Sequence, residues 1–155
     1  MAHIHEKIDF TISVMVVDNG KVFLHKHKKR GIWLPPGGHI ELDEDPNQAA
    51  LREVKEEVGF DVDLVGGSRL PFTFTNGTQD LVPPMFLNRH RISETHEHVD
   101  LLYFARCVGG ELVPEEEGIE MRWFTEDEIK VNAEGIHEDV QVYALAALKH
   151  FRDNL

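Results

Sequence analysis

The chain has 155 residues, a length that suits one domain with a real apolar core. Hydrophobic residues make up 41% and charged residues 28%, which excludes a disordered tail, a collagen-like repeat and a disulfide miniprotein. A formal charge of −12 opposes binding to nucleic acid or to an anionic membrane, and no apolar run approaches the roughly 20 residues of a membrane span. Cys107 is the only cysteine, so no internal disulfide forms. The start, MAHIHEKIDF, lacks the long apolar stretch of a signal peptide, and the expectation is a cytoplasmic protein. An anionic substrate would meet repulsion from so acidic a chain, and a bound divalent metal is the obvious local remedy.

Phe10, Ile12, Val14 and Val16 alternate with Thr11 and Ser13, the period of a strand. Asn19-Gly20 signals a hairpin turn, with Val22 to His27 as the return strand. The segment Gly31 to Gly38 holds two prolines and three glycines and reads as a loop. The next element is a helix marked at both ends. Asp45 suits the N-cap, Pro46 the first helical position, and Gln48 completes a capping box. Ala50, Val54 and Val58 form its apolar stripe, and Gly59 stands where a left-handed stop is wanted.

Val62 to Phe74 and Met85 to Ile92 read as strands, separated by a turn-rich loop over Thr75 to Pro84. Val99 to Val108 is the best buried strand, and Glu120 to Phe124 is one more. Thr125-x-x-Glu128 is a capping box that opens a short helix. A last helix from about Glu138 to Phe151 carries Val140, Ala144, Ala147, Leu148 and Phe151 on one face. This order argues for an α+β domain over residues 1–155, a mixed sheet covered by helices.

The chemistry concentrates in GHIELDEDPNQAALREVKEEVGF, residues 38–60. Glu53, Glu56 and Glu57 stand at i, i+3 and i+4, within one turn and roughly 120° from the centre of the apolar stripe. Carboxylates this close raise one another's pKa, and hard cations with oxygen ligands, Mg²⁺ or Mn²⁺, relieve the repulsion. A solvated acidic face is the plain alternative. Arg52 adds a guanidinium fork that can hold a carboxylate or reach a phosphate oxygen. Before the helix, Leu34-Pro35-Pro36-Gly37-Gly38 joins a stiff proline pair to a glycine pair that lets backbone approach a ligand.

Gly38-x5-Glu44-x7-Arg52-Glu53-Val54-x-Glu56-Glu57-x-Gly59-Phe60 matches every specified position of the Nudix box, G-x5-E-x7-R-E-U-x-E-E-x-G-U with U bulky and apolar. With seven fixed residues at ~7% usage each, chance gives roughly 10⁻⁸ per window. The chain therefore resembles the MutT-like Nudix hydrolases. The strand pattern before the box and the step Arg122-Trp123-Phe124-Thr125 after it extend the resemblance over most of the chain. The resemblance implies an α/β/α sandwich and hydrolysis of a nucleoside diphosphate linked to another group. It implies that Glu53, Glu56 and Glu57 hold Mg²⁺ or Mn²⁺, with the Gly37 carbonyl as a further ligand. Arg52 resembles the residue that orients the glutamates, Glu44 a supporting carboxylate, and Gly38 and Gly59 the structural glycines of the box.

The box does not fix the general base. In some family members it is a box glutamate, in others an acid from a loop after the long central strand. Here that loop is Val113-Pro114-Glu115-Glu116-Glu117-Gly118, and Glu117 is preferred because it stands six residues before Trp123, a spacing that resembles members that cleave nucleoside triphosphates. A solvated acidic turn is the alternative, and Glu97 is a further candidate. His96, His98 and Asp100 share one strand face and read as a polar strand entry, a substrate-pocket wall or a metal site. The run His25 to Arg30 reads as a solvated strand end or a phosphate contact. Phe72, Phe74, Phe86 and Tyr103 read as core, with base stacking as the alternative.

Subfamily signals are sparse. Members that cleave ADP-ribose often carry a proline about 15 residues past the box, whereas Pro71 and Pro83 lie eleven and twenty-three past Phe60. Asn76-Gly77-Thr78 lacks the tyrosine found near there in dinucleoside polyphosphate hydrolases, and the extended motifs of coenzyme A and NADH pyrophosphatases are missing. The reading is a small nucleotide as partner, most simply a nucleoside triphosphate cleaved to a monophosphate and pyrophosphate, by a monomer or homodimer. ADP-ribose or another nucleoside diphosphate derivative is the second reading. A non-catalytic nucleotide sensor is the third, disfavoured because the box acids are intact, and an isoprenoid isomerase is rejected because Cys107 lies late in a buried strand.

Overall fold

The structure is a computed structural model that describes residues 6–66 and 73–155. Its elements are β1 (Ile8–Asp18), β2 (Lys21–Lys26), β3 (Trp33–Leu34), β4 (Gly37–His39), α1 (Pro46–Val58), β5 (Phe60–Leu64), β6 (Phe86–Arg91), β7 (Glu97–Gly110), β8 (Met121–Thr125), α2 (Glu126–Val131) and α3 (Glu138–Asp153). The strands form one mixed sheet in the order β3-β2-β1-β7-β5, with β4 beside β1, β6 beside β7 and β8 beside β2. β1 and β7 run parallel through its centre from Ile8↔Glu97 to Val17↔Arg106.

Period two divides β1 between two cores. Ile12, Val14 and Val16 face α1, where they meet Ala50, Val54 and Val58, joined by Phe23, Phe60 and Tyr103. Met15 and Val17 face the other way, toward Ile129 of α2 and Val140, Ala144, Ala147, Leu148 and Phe151 of α3. Helices thus cover both faces, the three-layer arrangement expected from the order of elements. Among the described residues, no helix is long and apolar enough to cross a membrane.

Local signals place the ends of the elements. Asn19 and Gly20 both take positive φ, 46° and 72°, and turn β1 into β2. Asp45 accepts from the Gln48 N–H while the Gln48 side chain accepts from the Asp45 N–H, so both halves of the capping box close. Such a cap contributes about 1 kcal/mol. Thr125 and Glu128 make the same box for α2. Asn47, in the first turn of α1, binds both backbone groups of Val82 and ties the loop before β6 to the helix.

Two expectations need correction. The segment Gly31–Gly38 is not only a loop: Trp33–Leu34 pairs with His25–Lys26, and Gly37–His39 pairs with Thr11–Ser13. The second pairing depends on glycine, since a Cβ on Gly37 would stand 2.2 Å from the Ile12 carbonyl oxygen. Of the strand expected over Val62–Phe74, Val62 to Leu64 belong to β5 (Phe60–Leu64), the chain turns at Val65–Gly66, and Thr73 and Phe74 are not strand. Residues 67–72, Pro71 and Phe72 among them, lie outside the described residues.

Candidate active site

α1 delivers the three glutamates to different environments. Glu53 is only 7% exposed, packed so closely under the preceding strand that a Cβ on Gly38 would stand 2.3 Å from its Oε1. Gly38 is required there because a carboxylate fills the space of a side chain. Glu56 is exposed, and Glu57 is half-buried. Gly59 stops the helix in the left-handed region at φ 82° and leads into β5.

Arg52 organises this end of the helix. Its Nε and Nη2 donate to the two oxygens of Glu44 at 2.9 and 2.6 Å, a bidentate pair. Its Nη1 donates to Glu53 Oε1 at 2.9 Å and to Glu56 Oε2 at 3.1 Å, and Nη2 reaches the His39 carbonyl at 3.1 Å. One guanidinium therefore holds three carboxylates and the backbone beyond Gly38. The hydrogen bonds from Arg52 hold Glu44 below the usual carboxylate range. Burial pushes Glu53 up, against the opposing pull of Arg52.

Glu57 turns the other way. Its Oε2 accepts from the Gly37 N–H at 2.9 Å and lies 3.7 Å from His25 Nε2. Burial pushes its pKa up to about 8, with Glu53, Glu115 and Glu56 adding repulsion and the Gly37 bond opposing. Burial also lowers His25, which favours a neutral imidazole beside Glu57. Three carboxylates in one turn, one of them driven toward its protonated form, are a donor set that a hard dication fits.

Glu57 and Gly37 stand at one end of a cleft of about 280 Å³ on the α3 side of the sheet. Its walls carry His27, Arg30 and Leu34 on one side and Asn88, His90 and Asp100 on the other, with Asp139 and Tyr143 of α3 across the mouth. A second groove, of about 270 Å³, runs from Glu57 past His25 and Lys28 to Glu115 and Glu116. In the loop after β7, the Glu115 N–H donates to the Glu57 carbonyl at 3.1 Å and Glu116 pairs with Lys28 at 3.0 Å. Glu117, preferred on spacing, is exposed, and the loop acids that line the groove with Glu57 are Glu115 and Glu116.

The other candidates separate. Asp100 is buried and accepts from Thr11 Oγ1 at 2.7 Å, and burial raises its pKa. His96 and His98 gather instead with Asp9 and His39. Burial and the neighbouring His39, His90 and His96 lower His98 to about 4. Glu97 pairs with Arg89 at 2.7 Å on the exposed side of β7. Tyr103 is buried core, whereas Phe86 makes tilted ring contacts with Phe104 and with Tyr143 of the cleft. Cys107, opposite Val62, is a free thiol that burial pushes up, away from nucleophile chemistry. The sequence reading missed Asn88, His90, Asp139 and Tyr143. For Asp139 and Tyr143, the spacing i, i+4 on the helix was an available sign.

Comparison with known proteins agrees with this fold. The profile of the NUDIX domain family matches residues 8–146. A NUDIX-family hydrolase from Clostridium perfringens superposes with a TM-score of 0.82 at 35% identity, over 92% of this chain and 97% of that one. An RNA pyrophosphohydrolase from Roseobacter denitrificans is 27% identical over 89% of each chain. A probable DHNTP pyrophosphohydrolase from Lactococcus lactis subsp. cremoris is 28% identical over 64% of this chain and 55% of its own. The chain spans between about a quarter and about half of the length of the first curated relatives it matches. With an intact acid helix, a family profile over nearly the whole chain and a close structural relative, this chain belongs to the Nudix hydrolase family.

Proposed function

We propose that the protein hydrolyses a phosphoanhydride bond in a small nucleoside diphosphate derivative, most simply a nucleoside triphosphate, giving a monophosphate and pyrophosphate. The observation that carries this reading is the cleft that begins at Glu57 and Gly37 and ends at Asp139 and Tyr143. Its volume suits one nucleoside rather than a polymer, and the charge of −12 opposes a long polyanion. RNA and mononucleotides both occur among the substrates that the relatives' names state, an RNA pyrophosphohydrolase and an 8-oxo-dGTP diphosphatase among them.

Glu53, Glu56 and Glu57, with the Gly37 carbonyl, would hold Mg²⁺ or Mn²⁺. When bound, the dication neutralises phosphate charge and makes water a stronger nucleophile near neutral pH. The chain's own groups do the rest. Arg52 fixes Glu53 and Glu56 in place, and the Gly37 N–H fixes Glu57. His27 and Arg30 face the cleft beside Glu57, where the phosphates of a nucleotide would lie. Asn88, His90 and Asp100 offer polar edges to a base, and Tyr143 offers a ring face. A carboxylate of the Glu115 loop or of the helix accepts the proton of the attacking water.

The test is a screen of nucleoside triphosphates, ADP-ribose, NADH, sugar nucleotides, dinucleoside polyphosphates and 5′-triphosphorylated RNA, with Mg²⁺ or Mn²⁺ and products identified by mass. Release of pyrophosphate from a mononucleotide supports the reading. Turnover confined to ADP-ribose or sugar nucleotides would move it to the second substrate class, and turnover of RNA alone would overturn it. Nucleotide binding without turnover would make the domain a sensor.

A further inference from the structure

The end of the sheet beyond the cleft gathers a second donor set that phosphoanhydride hydrolysis does not use. Asp9, His39 and His98 each offer one donor atom, and these atoms lie within 4.8 Å of one another. Strand register assembles them: Asp9 stands beside His98 in the β1–β7 pair, and β4 lays His39 against Thr11. Asp9 is 1% exposed. Its Oδ2 lies 3.2 Å from His39 Nε2 and 3.2 Å from His96 Nε2. The rings of His39 and His96 stand edge-on to His98, with centroids 5.1 and 5.2 Å away.

Two ligand atoms about 2.05 Å from a tetrahedral metal lie roughly 3.3 Å apart, so these contacts have the length of a coordination edge. His96 adds an independent observation. Its Nδ1 lies 3.3 Å from the Glu6 carbonyl oxygen. A carbonyl only accepts, so Nδ1 carries the hydrogen, and a neutral ring then turns the Nε2 lone pair toward the Asp9 carboxylate. Two acceptors at that distance need a positive centre between them, either a metal ion or a shared proton. A backbone carbonyl on the remote ring nitrogen is the partner that metal-ligating histidines use.

We propose that Asp9, His39 and His98 bind a divalent transition-metal ion of the zinc type, with His96 against the Asp9 carboxylate, separate from the dication of Glu53, Glu56 and Glu57. Imidazoles with one carboxylate suit Zn²⁺ and its first-row neighbours and do not suit Mg²⁺. The three ligands come from three strands, so the ion ties β1, β4 and the start of β7 together. His39 follows Gly38 directly, and its carbonyl holds Arg52, so the ion would also brace the strand against which Glu53 packs.

The test uses tag-free full-length protein, stripped with a chelator and titrated with Zn²⁺ while excess Mg²⁺ occupies the helix acids. The expected result is one tightly held zinc per chain, by elemental analysis and native mass spectrometry, with a rise in Tm on zinc addition. His98→Gln and Asp9→Asn should weaken zinc at least roughly 100-fold, while Glu56→Gln should retain it. Replacement by Co²⁺ should give the intense visible bands of a four-coordinate ion. If the two variants do not fold, the wild-type cobalt spectrum decides: four-coordinate bands uphold the site, and weak six-coordinate bands or none refute it. Absence of tight zinc, or equal zinc affinity in folded His98→Gln and Asp9→Asn, would overturn the proposal and leave a proton-bridged His96–Asp9 pair.

Discussion

Arg52 is the side chain whose replacement separates charge from geometry. It makes five hydrogen bonds, two to Glu44 and one each to Glu53, Glu56 and the His39 carbonyl. Arg52→Lys keeps the charge but concentrates three donors on one atom. The bidentate grip on Glu44 and the simultaneous reach to Glu53 and Glu56 cannot both survive, so at least two bonds go. Hydrogen bonds to charged groups contribute about 1.5–3 kcal/mol each, which puts the loss at about 3–6 kcal/mol before water repairs part of it. Arg52→Ala is harsher, because Glu44 and Glu53 have side chains only 12% and 10% exposed and would be left without their cation. Breaking such a pair costs about 3–5 kcal/mol.

For a domain of this size 1 kcal/mol moves Tm by about 2–4 °C, so Arg52→Ala should melt roughly 6–20 °C below wild type. Both variants should lose turnover by about 100-fold or more, because misplacement of a reacting group by about 1 Å costs that much. Urea denaturation with and without Mg²⁺, alongside kcat on the best substrate from the screen, measures both effects. Saturating Mg²⁺ should restore part of the stability of Arg52→Ala, since the ion replaces the cation at Glu53 and Glu56 but not at Glu44. Wild-type turnover and wild-type stability in Arg52→Lys would refute the reasoning, because charge alone would then hold the site.

Gly38→Ala should fold and lose about 10- to 100-fold in turnover, because its methyl group displaces the far end of Glu53. Gly37→Ala should fail to fold, because its methyl group meets the Ile12 backbone; soluble expression, circular dichroism and kcat distinguish the two, and a folded, active Gly37→Ala would contradict the geometry. In chelated protein, stability should fall by a few kcal/mol as pH rises from about 4.5 to 8, since the raised Glu57 pKa makes folding favour the protonated acid; Glu57→Gln should flatten that slope, as read by urea denaturation across pH. Glu115→Gln should lower kcat more than Glu117→Gln, because Glu115 is the residue joined to Glu57; wild-type rates in Glu115→Gln, Glu116→Gln and Glu117→Gln alike would exclude the loop as the source of the base.

The elements that were legible from sequence are those whose determinants lie within a few residues of one another. The Asp45–Gln48 and Thr125–Glu128 boxes, the Asn19-Gly20 turn and the Gly59 stop all behave as local chemistry requires. The strands β3 and β4 were not legible, because two or three residues carry no period and their pairing is decided by a close approach to β2 and β1. The acid helix was legible as a cluster, but not the inequality of its members. Glu53 is buried and Glu56 exposed because Gly38 comes down on one and not the other, a contact across fifteen residues of chain.

The cleft and the histidine cluster illustrate the same limit at longer range, and one strand unites them. Along β1 the residues Asp9, Thr11 and Ser13 alternate with Phe10, Ile12 and Val14, after which Met15 and Val17 continue the polar row as core. A row that is polar for three positions and apolar for two, on one face of one strand, already says that this face leaves the core and enters a site. What lies opposite is set by the parallel pairing, which places His98 beside Asp9 and Asp100 beside Thr11 across a separation of 89 residues. Nothing local specifies that register. It follows from burying Leu102 and Phe104 together with Met15 and Val17, since a slip of one residue would turn the β7 core positions to the wrong face. Apolar packing at one end of the β1–β7 pair therefore fixes which polar groups meet at the other, and the cleft and the Asp9 cluster are consequences of the same register.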